Sequence, residues 1–328
     1  MTQTVVITGA SAGIGRATSI AFARRGCRVA LLARGEEGLR GAVRDVEAAG
    51  GVALAIPTDV ADAAAVERAA EQAERELGPI DVWVNGAMAN IYGRFLDIEP
   101  DEFRRVTEVI YLGQVNGTRA ALRRMQPRNR GTIVQIDSVL GHRAVPLQSA
   151  YCGSKFAIRG FSGAVRTELM HDHSGVRISV VCFPSINTPH YTWARNKLSR
   201  RPSPVPPVYT PEMAARAILY AAEKAPHEVW VSTVTIGGAL GNMVIPTLLD
   251  WASAFLGYRA EFSSDPPEPD HQDNLFEPVP RDHGASGRFG TYALGHALVV
   301  SAGTARIAAA AAGLGLFAAL LRRVGRAG

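Results

Sequence analysis

From Thr4 to Phe183 the chain alternates short β-branched apolar runs with segments whose apolar residues recur at helical spacing. No other feature limits the fold as strongly. The runs are Val5–Ile7, Arg28–Ala33, Val52–Ile56, Asp81–Val84, Thr132–Ile136 and Arg177–Phe183. Each is nearly continuous in apolar residues, the pattern of parallel strands covered on both faces. Helical periodicity fills the gaps at Arg16–Arg25, Glu36–Ala49, Ala61–Leu77, Asp101–Met125 and Ala150–His171. Right-handed crossovers then predict a doubly wound α/β sheet of Rossmann type. A helix at Pro211–Glu223 and a seventh strand at Glu228–Ser232 extend it.

Three units are expected. Residues 1–238 form the dinucleotide-binding and catalytic domain, 239–290 a helix (Leu240–Phe255) with a Pro-rich irregular connector, and 291–328 an apolar helical segment. Pro189–Thr210, holding Tyr191, Trp193 and several prolines, reads as an excursion above the carboxyl edge of the sheet. With 328 residues, 47% of them hydrophobic, the chain can bury one large core. The net charge of +5 comes from basic residues scattered among acids. Without a basic stripe interleaved with aromatics, nucleic acid is excluded as a partner. Cys27, Cys152 and Cys182 lie far apart, which argues against a disulfide framework or a zinc site and for a reducing cytoplasm. The chain starts directly on a strand, with no secretory signal. His142 reads as a loop histidine facing substrate space; no partner stands at ligand spacing, so no metal is expected.

The first strand runs into Thr8-Gly9-Ala10-Ser11-Ala12-Gly13-Ile14-Gly15 and then a helix. Such a turn brings backbone N–H groups against a pyrophosphate, whose charge the helix N-terminus favours. At the tip of the second strand stand Ala33 and Arg34, with no carboxylate to hydrogen-bond a ribose 2′-hydroxyl. Arg34 offers a planar fork of donors to a 2′-phosphate, so NADP(H) is favoured over NAD(H). Tyr151 and Lys155 are four residues apart and share one helix face. There the ammonium would lower a phenol pKa of about 10, enabling Tyr151 to exchange a proton with a carbonyl or alcohol oxygen. Ser138, just past the fifth strand, can direct a hydroxyl donor at the same oxygen.

Together these motifs resemble the short-chain dehydrogenase/reductases over about residues 3–235, beginning with the spacing T-G-x-x-x-G-x-G. The resemblance implies an oxidoreductase with Ser138, Tyr151 and Lys155 as its catalytic set. Lys155 would also bond the nicotinamide ribose. It further implies Asp59 and Val60 on the adenine side and Asn85 at the end of the fourth strand. Pro184 and Thr188 would lie after the sixth strand, Thr188 against the nicotinamide carboxamide, and a homo-oligomer would form on the long helices. The family's usual helix asparagine is missing: alignment on Gly113 puts Ile110 there, and Asn116 lies on another face. Gln148 and Tyr191 join His142 as residues expected to face a small carbonyl or alcohol substrate.

Two other readings use the same fold: an NADP(H)-binding sensor or scaffold with little turnover, and an isomerase or lyase. The apolar run Ala297–Leu321, broken by Arg306 and followed by Arg322 and Arg323, is either a packed or oligomer-forming helix or a membrane anchor.

Overall fold

The computed structural model describes residues 2–266 and 271–324. Its centre is an eight-stranded sheet made of β1 (Thr4–Thr8), β2 (Arg28–Ala33), β3 (Val52–Pro57), β4 (Ile80–Asn85), β5 (Gly131–Ser138), β6 (Val176–Phe183), β7 (Glu228–Val231) and β8 (Val299–Ser301). The spatial order is β8-β7-β6-β5-β4-β1-β2-β3, parallel except for β8. The expected doubly wound sheet is therefore present, with one more strand than the seven predicted.

Successive residues of a strand point to opposite faces, so each strand feeds two cores. Val5, Ile7, Val29 and Leu31 pack under α1 (Gly13–Ala23), α2 (Glu36–Ala48) and a later helix, Pro211–Lys224. Val6, Ala30, Leu32 and Trp83 pack under α3 (Ala63–Leu77), α4 (Pro100–Thr107), α5 (Gly113–Met125) and α6 (Ser149–His171). The Pro211–Lys224 helix is α7. Local chemistry sets the ends: Asp62 accepts from the N–H groups of Ala64 and Ala65 at the start of α3. Glu99 and Glu102 form a capping box around Pro100 at the start of α4.

Two departures lie after β7. A helix starts at once, α8 (Ser232–Val244), and restarts at Pro246 as α9 (Pro246–Ala252), so the predicted boundary at 238/239 falls inside a helix. Proline suits a first helical turn, which explains why the break comes there. Second, Val299–Ser301 was read as part of an apolar helix but is β8, antiparallel on β7. Its β-branched valines fit a pleated edge. From β8 the chain enters α10 (Ala302–Val324), whose side chains beyond 314 lie outside the described residues. Arg306 pairs with Glu228 at 3.2 Å and lies 5.0 Å over the Trp230 ring. Among the described residues no helix is long and apolar enough to cross a membrane.

The strand order reverses between β1 and β4, leaving a crevice at their carboxyl ends. The connector after α9 returns to this crevice. Asp282 binds Arg16 and Arg44, the Gly13 N–H donates to the Gly284 carbonyl at 3.1 Å, and Arg34 donates to the carbonyls of Asn274, Leu275 and Phe276.

Two substitutions grade the parts of this fold. Trp83→Ala empties a fully buried site whose indole also donates to Asn85, and should cost about 3–5 kcal/mol in urea unfolding. Asp62→Ala removes only an exposed cap and should cost about 1 kcal/mol.

Candidate active site

A cleft of about 450 Å³ runs along the carboxyl edge of the sheet, from the Gly9–Gly15 turn past Ser138, Tyr151 and Lys155 to Glu261. Ser11, Ala12, Gly13, Ile14 and Gly15 line one end. Gly15 cannot carry a side chain, because a Cβ would lie 2.2 Å from the Gly9 carbonyl oxygen, and Gly13 holds a φ of +56°. Ala12 stands at the N-cap of α1 and gives no side-chain cap, so this positive helix end is left facing the cleft. Although the Gly284 carbonyl takes the Gly13 N–H, a helix N-terminus beside a turn pared to glycine fits the diphosphate of a dinucleotide. Asp59 and Val60 lie farther along. Burial alone would raise the Asp59 pKa, but the Ala61 N–H and the Arg105 guanidinium at 2.6 Å outweigh it and hold the carboxyl low. Pro184 and Thr188 line the other side, with Thr188 Cβ 3.2 Å from where a Cβ on Gly13 would stand.

Ser138 ends β5, and Tyr151 and Lys155 occupy successive turns of α6, which puts all three on one wall. Burial pushes the Tyr151 phenol up, and a hydrogen bond with Ser138 only partly opposes it. The lowering expected from Lys155 is absent: its Nζ donates to the Ile136 carbonyl at 2.7 Å and stays 5.5 Å from the centre of the phenol ring. Lys155 is itself lowered by burial, against the attraction of Asp137. Asp137, immediately before Ser138, is fully enclosed and its pKa is raised by burial to about 6.

At the missing asparagine, Ile110 is fully buried within a π-helical turn, Glu108–Leu112, that joins α4 to α5. One turn on, Gln114 Nε2 donates to the Ile136 carbonyl at 2.9 Å, so that oxygen accepts from both Gln114 and Lys155. Sequence reasoning missed Gln114, although its spacing of four from Ile110 puts it on the same face. Asn116 instead donates to the Val60 carbonyl at 2.9 Å.

Three predicted contacts sit elsewhere. Thr8 and Asn85 are structural ties. Thr8 Oγ1 accepts from the N–H groups of Gly86 and Ala87, while Asn85 accepts from Trp83 and donates to Gln135, both at 2.8 Å. The cleft is lined by Gly86 and Ala87 in their place. His142 is turned away from the substrate space. Its Nε2 lies 2.7 Å from Glu228 and 3.5 Å from Cys182 Sγ, and its ring stands edge-on to Trp230. His142 does have partners at ligand distance, contrary to expectation, because β6 and β7 bring Cys182 and Glu228 to it, the three ligand atoms lying within 4.8 Å of one another. Arg159 and Arg306 already hold that carboxylate.

Gln148 and Tyr191 do line the substrate end, beside Asn90, Tyr92, His190 and Glu261, which were not anticipated. Asn90 donates to Gln148 at 2.8 Å and Gln148 donates to Glu261 at 2.6 Å. Glu261 reaches the cleft because residues 201–203 pair with 261–263: the Ser203 N–H donates to the Glu261 carbonyl and the Ser263 N–H to that of Arg201. No local signal in the sequence marks that long-range pairing.

The short chain dehydrogenase family profile matches residues 3–198. The chain belongs to this family. It is 30% identical over 277 residues to the uncharacterized oxidoreductase YxnA of Bacillus subtilis, covering 84% of this chain and 78% of that one. It is 36% identical over 192 residues to the 3-dehydrosphinganine reductase of Danio rerio, 57% of either chain, and 32% identical over 243 residues to the ketoacyl reductase HetN of a Nostoc species, 74% and 83%. As a member, the protein is a hydride-transferring oxidoreductase that uses a nicotinamide cofactor on a small-molecule substrate.

Gln114→Leu should leave the Ile136 carbonyl to Lys155 alone. The expected result is a kcat roughly tenfold lower with KM little changed, part of what positioned proton transfer supplies. The alkaline limb of the pH–kcat profile should shift with it. Unaltered kcat and profile would mean that Lys155 is held without this amide.

Proposed function

We propose that the protein reduces a carbonyl with NADPH, and that Tyr151 donates the proton. The observation that carries this reading is the convergence of Ser138, Tyr151 and Lys155 on one wall of the cleft that also contains the N-terminal end of α1. When bound, the reduced nicotinamide supplies the hydride to the carbonyl carbon. Tyr151 protonates the oxygen, and the Ser138 hydroxyl donates to that oxygen as its negative charge develops. Burial keeps the phenol protonated, the state that reduction requires. The Ile136 carbonyl holds Lys155 in the wall, from which its ammonium would bear on the cofactor ribose.

The choice of NADP(H) rests on the tip of β2. Ala33 presents no carboxylate, and Asp59, the acid nearby, is already paired with Arg105. The Arg34 hydrogen bonds go only to neutral carbonyls of residues 274–276, which leaves its charge available to a 2′-phosphate. The free, buried thiols of Cys27, Cys152 and Cys182 support a reducing cytoplasm. A homo-oligomer would use the face of α5 and α6, beside which Leu112 and Phe156 are each 42% exposed.

Purified protein should oxidise NADPH, in preference to NADH, with members of an aldehyde and ketone panel. Tyr151→Phe should lower kcat by about 10²–10⁴ while NADPH still binds. Arg34→Ala should reduce the NADPH preference by about tenfold or more, the scale of a hydrogen bond to a charged group. Full turnover by Tyr151→Phe would remove the proton donor from this scheme, and equal use of NADH by the wild type would remove Arg34.

A further inference from the structure

The substrate end of the cleft contains an acid that the chemistry above does not use. Glu261 is 5% exposed and comes from the chain after α9, outside the family's matched region. Gln148 donates to its Oε2 at 2.6 Å, and Asn90 fixes the orientation of Gln148 by donating to the opposite side of that amide. The direction of this relay is set by Asn90, whose own Oδ1 accepts from the Ile91 N–H at 2.8 Å. The carboxyl is therefore held in one orientation, with its Oε1 free of any hydrogen bond among the described residues. No guanidinium or ammonium among the described residues forms an ion pair with it. The titratable groups that bear on it are Tyr92, Tyr191 and Cys152, none of them a cation, and the adjoining His190 is kept neutral by burial. Tyr92 feels both Glu261 and Tyr151, and all three line the same cleft.

A buried carboxylate without a cation is costly unless something pairs with it, and this one faces space that a substrate would fill. We propose that Glu261 forms an ammonium subsite and that the substrate is an amino ketone, its protonated amine at Glu261 and its carbonyl in the same cleft at Tyr151. The inference rests on the carbonyl-reductase reading for the ketone and on Glu261 alone for the amine. Burial raises the carboxyl to about 7, with the Gln148 donor opposing. An acid with a raised pKa is neutral below that value and ionised above it, so the subsite should attract a cation at pH 8 and lose that attraction at pH 6.

Calorimetric titration of the purified chain, with and without NADP⁺, with 2-aminooctan-3-ol and octan-3-ol separates these contributions. At pH 8 the amino alcohol should bind at least tenfold more tightly, and at pH 6 the two should be nearly equal. Glu261→Gln keeps the shape and the Gln148 contact while removing the charge. It should abolish the preference at pH 8 and leave octan-3-ol binding unchanged. Equal binding of the two alcohols by the wild type at pH 8, or binding of neither, overturns the subsite. So does a preference that survives Glu261→Gln, or one that does not change with pH. In kinetics, the wild type should favour 2-aminooctan-3-one over octan-3-one in kcat/KM through KM. Amine-selective binding without reduction of any ketone would defeat the reductase reading and leave the subsite standing.

Discussion

A buried ammonium governs the centre of this molecule. Lys155 is 2% exposed, and taking such a group out of water costs several kcal/mol unless protein dipoles and charges replace the solvent. The replacement comes from β5, as the Ile136 carbonyl and the Asp137 carboxyl next to it, while the Gln114 amide of α5 donates to the same carbonyl. β5 can offer a carbonyl there because its last residues run past the ladder with β4, which ends at Asn85 opposite Gln135. The strand end that presents Ser138 to the cleft thus also neutralises the lysine behind it. Moving α6 would leave a charge unpaired and moving α5 would strip the Ile136 carbonyl of its second donor, which ties both helices to one geometry around Ser138, Tyr151 and Lys155.

Much of this was legible in the sequence because it depends on local periodicity. The seven parallel strands, the glycine turn and the helical pairing of Tyr151 with Lys155 are each set within a few residues. What was not legible depends on distant segments meeting. Nothing near Asn85 marks it as the partner of Trp83 and Gln135, so it read as a cofactor contact when its amide is consumed inside the sheet. His142 read as facing substrate because it follows Ser138 closely, whereas Glu228 on β7 draws it the other way. A contact between residues so far apart leaves no trace in spacing. The phenol shift differs from expectation for a related reason: helix geometry gives the proximity of Lys155, but not the burial that raises the phenol or the carbonyl to which Lys155 donates.

The C-terminal part reverses the sense of the sequence pattern most. Its connector has no periodicity and is rich in Pro, Asp and Gly, a composition usual for a solvated link. Yet it closes one wall of the cleft. Asp282 ties it to Arg16 and Arg44, and Gly287 lies so near Thr188 that a Cβ there would come within 2.4 Å of its carbonyl oxygen. Polar residues in such a segment serve as anchors, and their partners are the arginines of α1 and α2.

The two ends of the cleft can therefore be read as one construction. Elements common to the fold supply Ser138, Tyr151, Lys155 and the helix end. The chain after β7 supplies the carbonyls around Arg34 and the carboxyl of Glu261. Since the reacting groups stay fixed while this added wall touches both the adenosine end and the substrate end, changes in selectivity can arise there without disturbing Lys155. The wall is attached through short backbone pairings, 201–203 with 261–263 and Gly13 with Gly284, through the Asp282 ion pairs with Arg16 and Arg44, and through Leu275, which is fully buried in the core that Val6 and Leu32 feed. The wall with Ser138, Tyr151 and Lys155 and the wall with Glu261 are thereby carried by different parts of the chain.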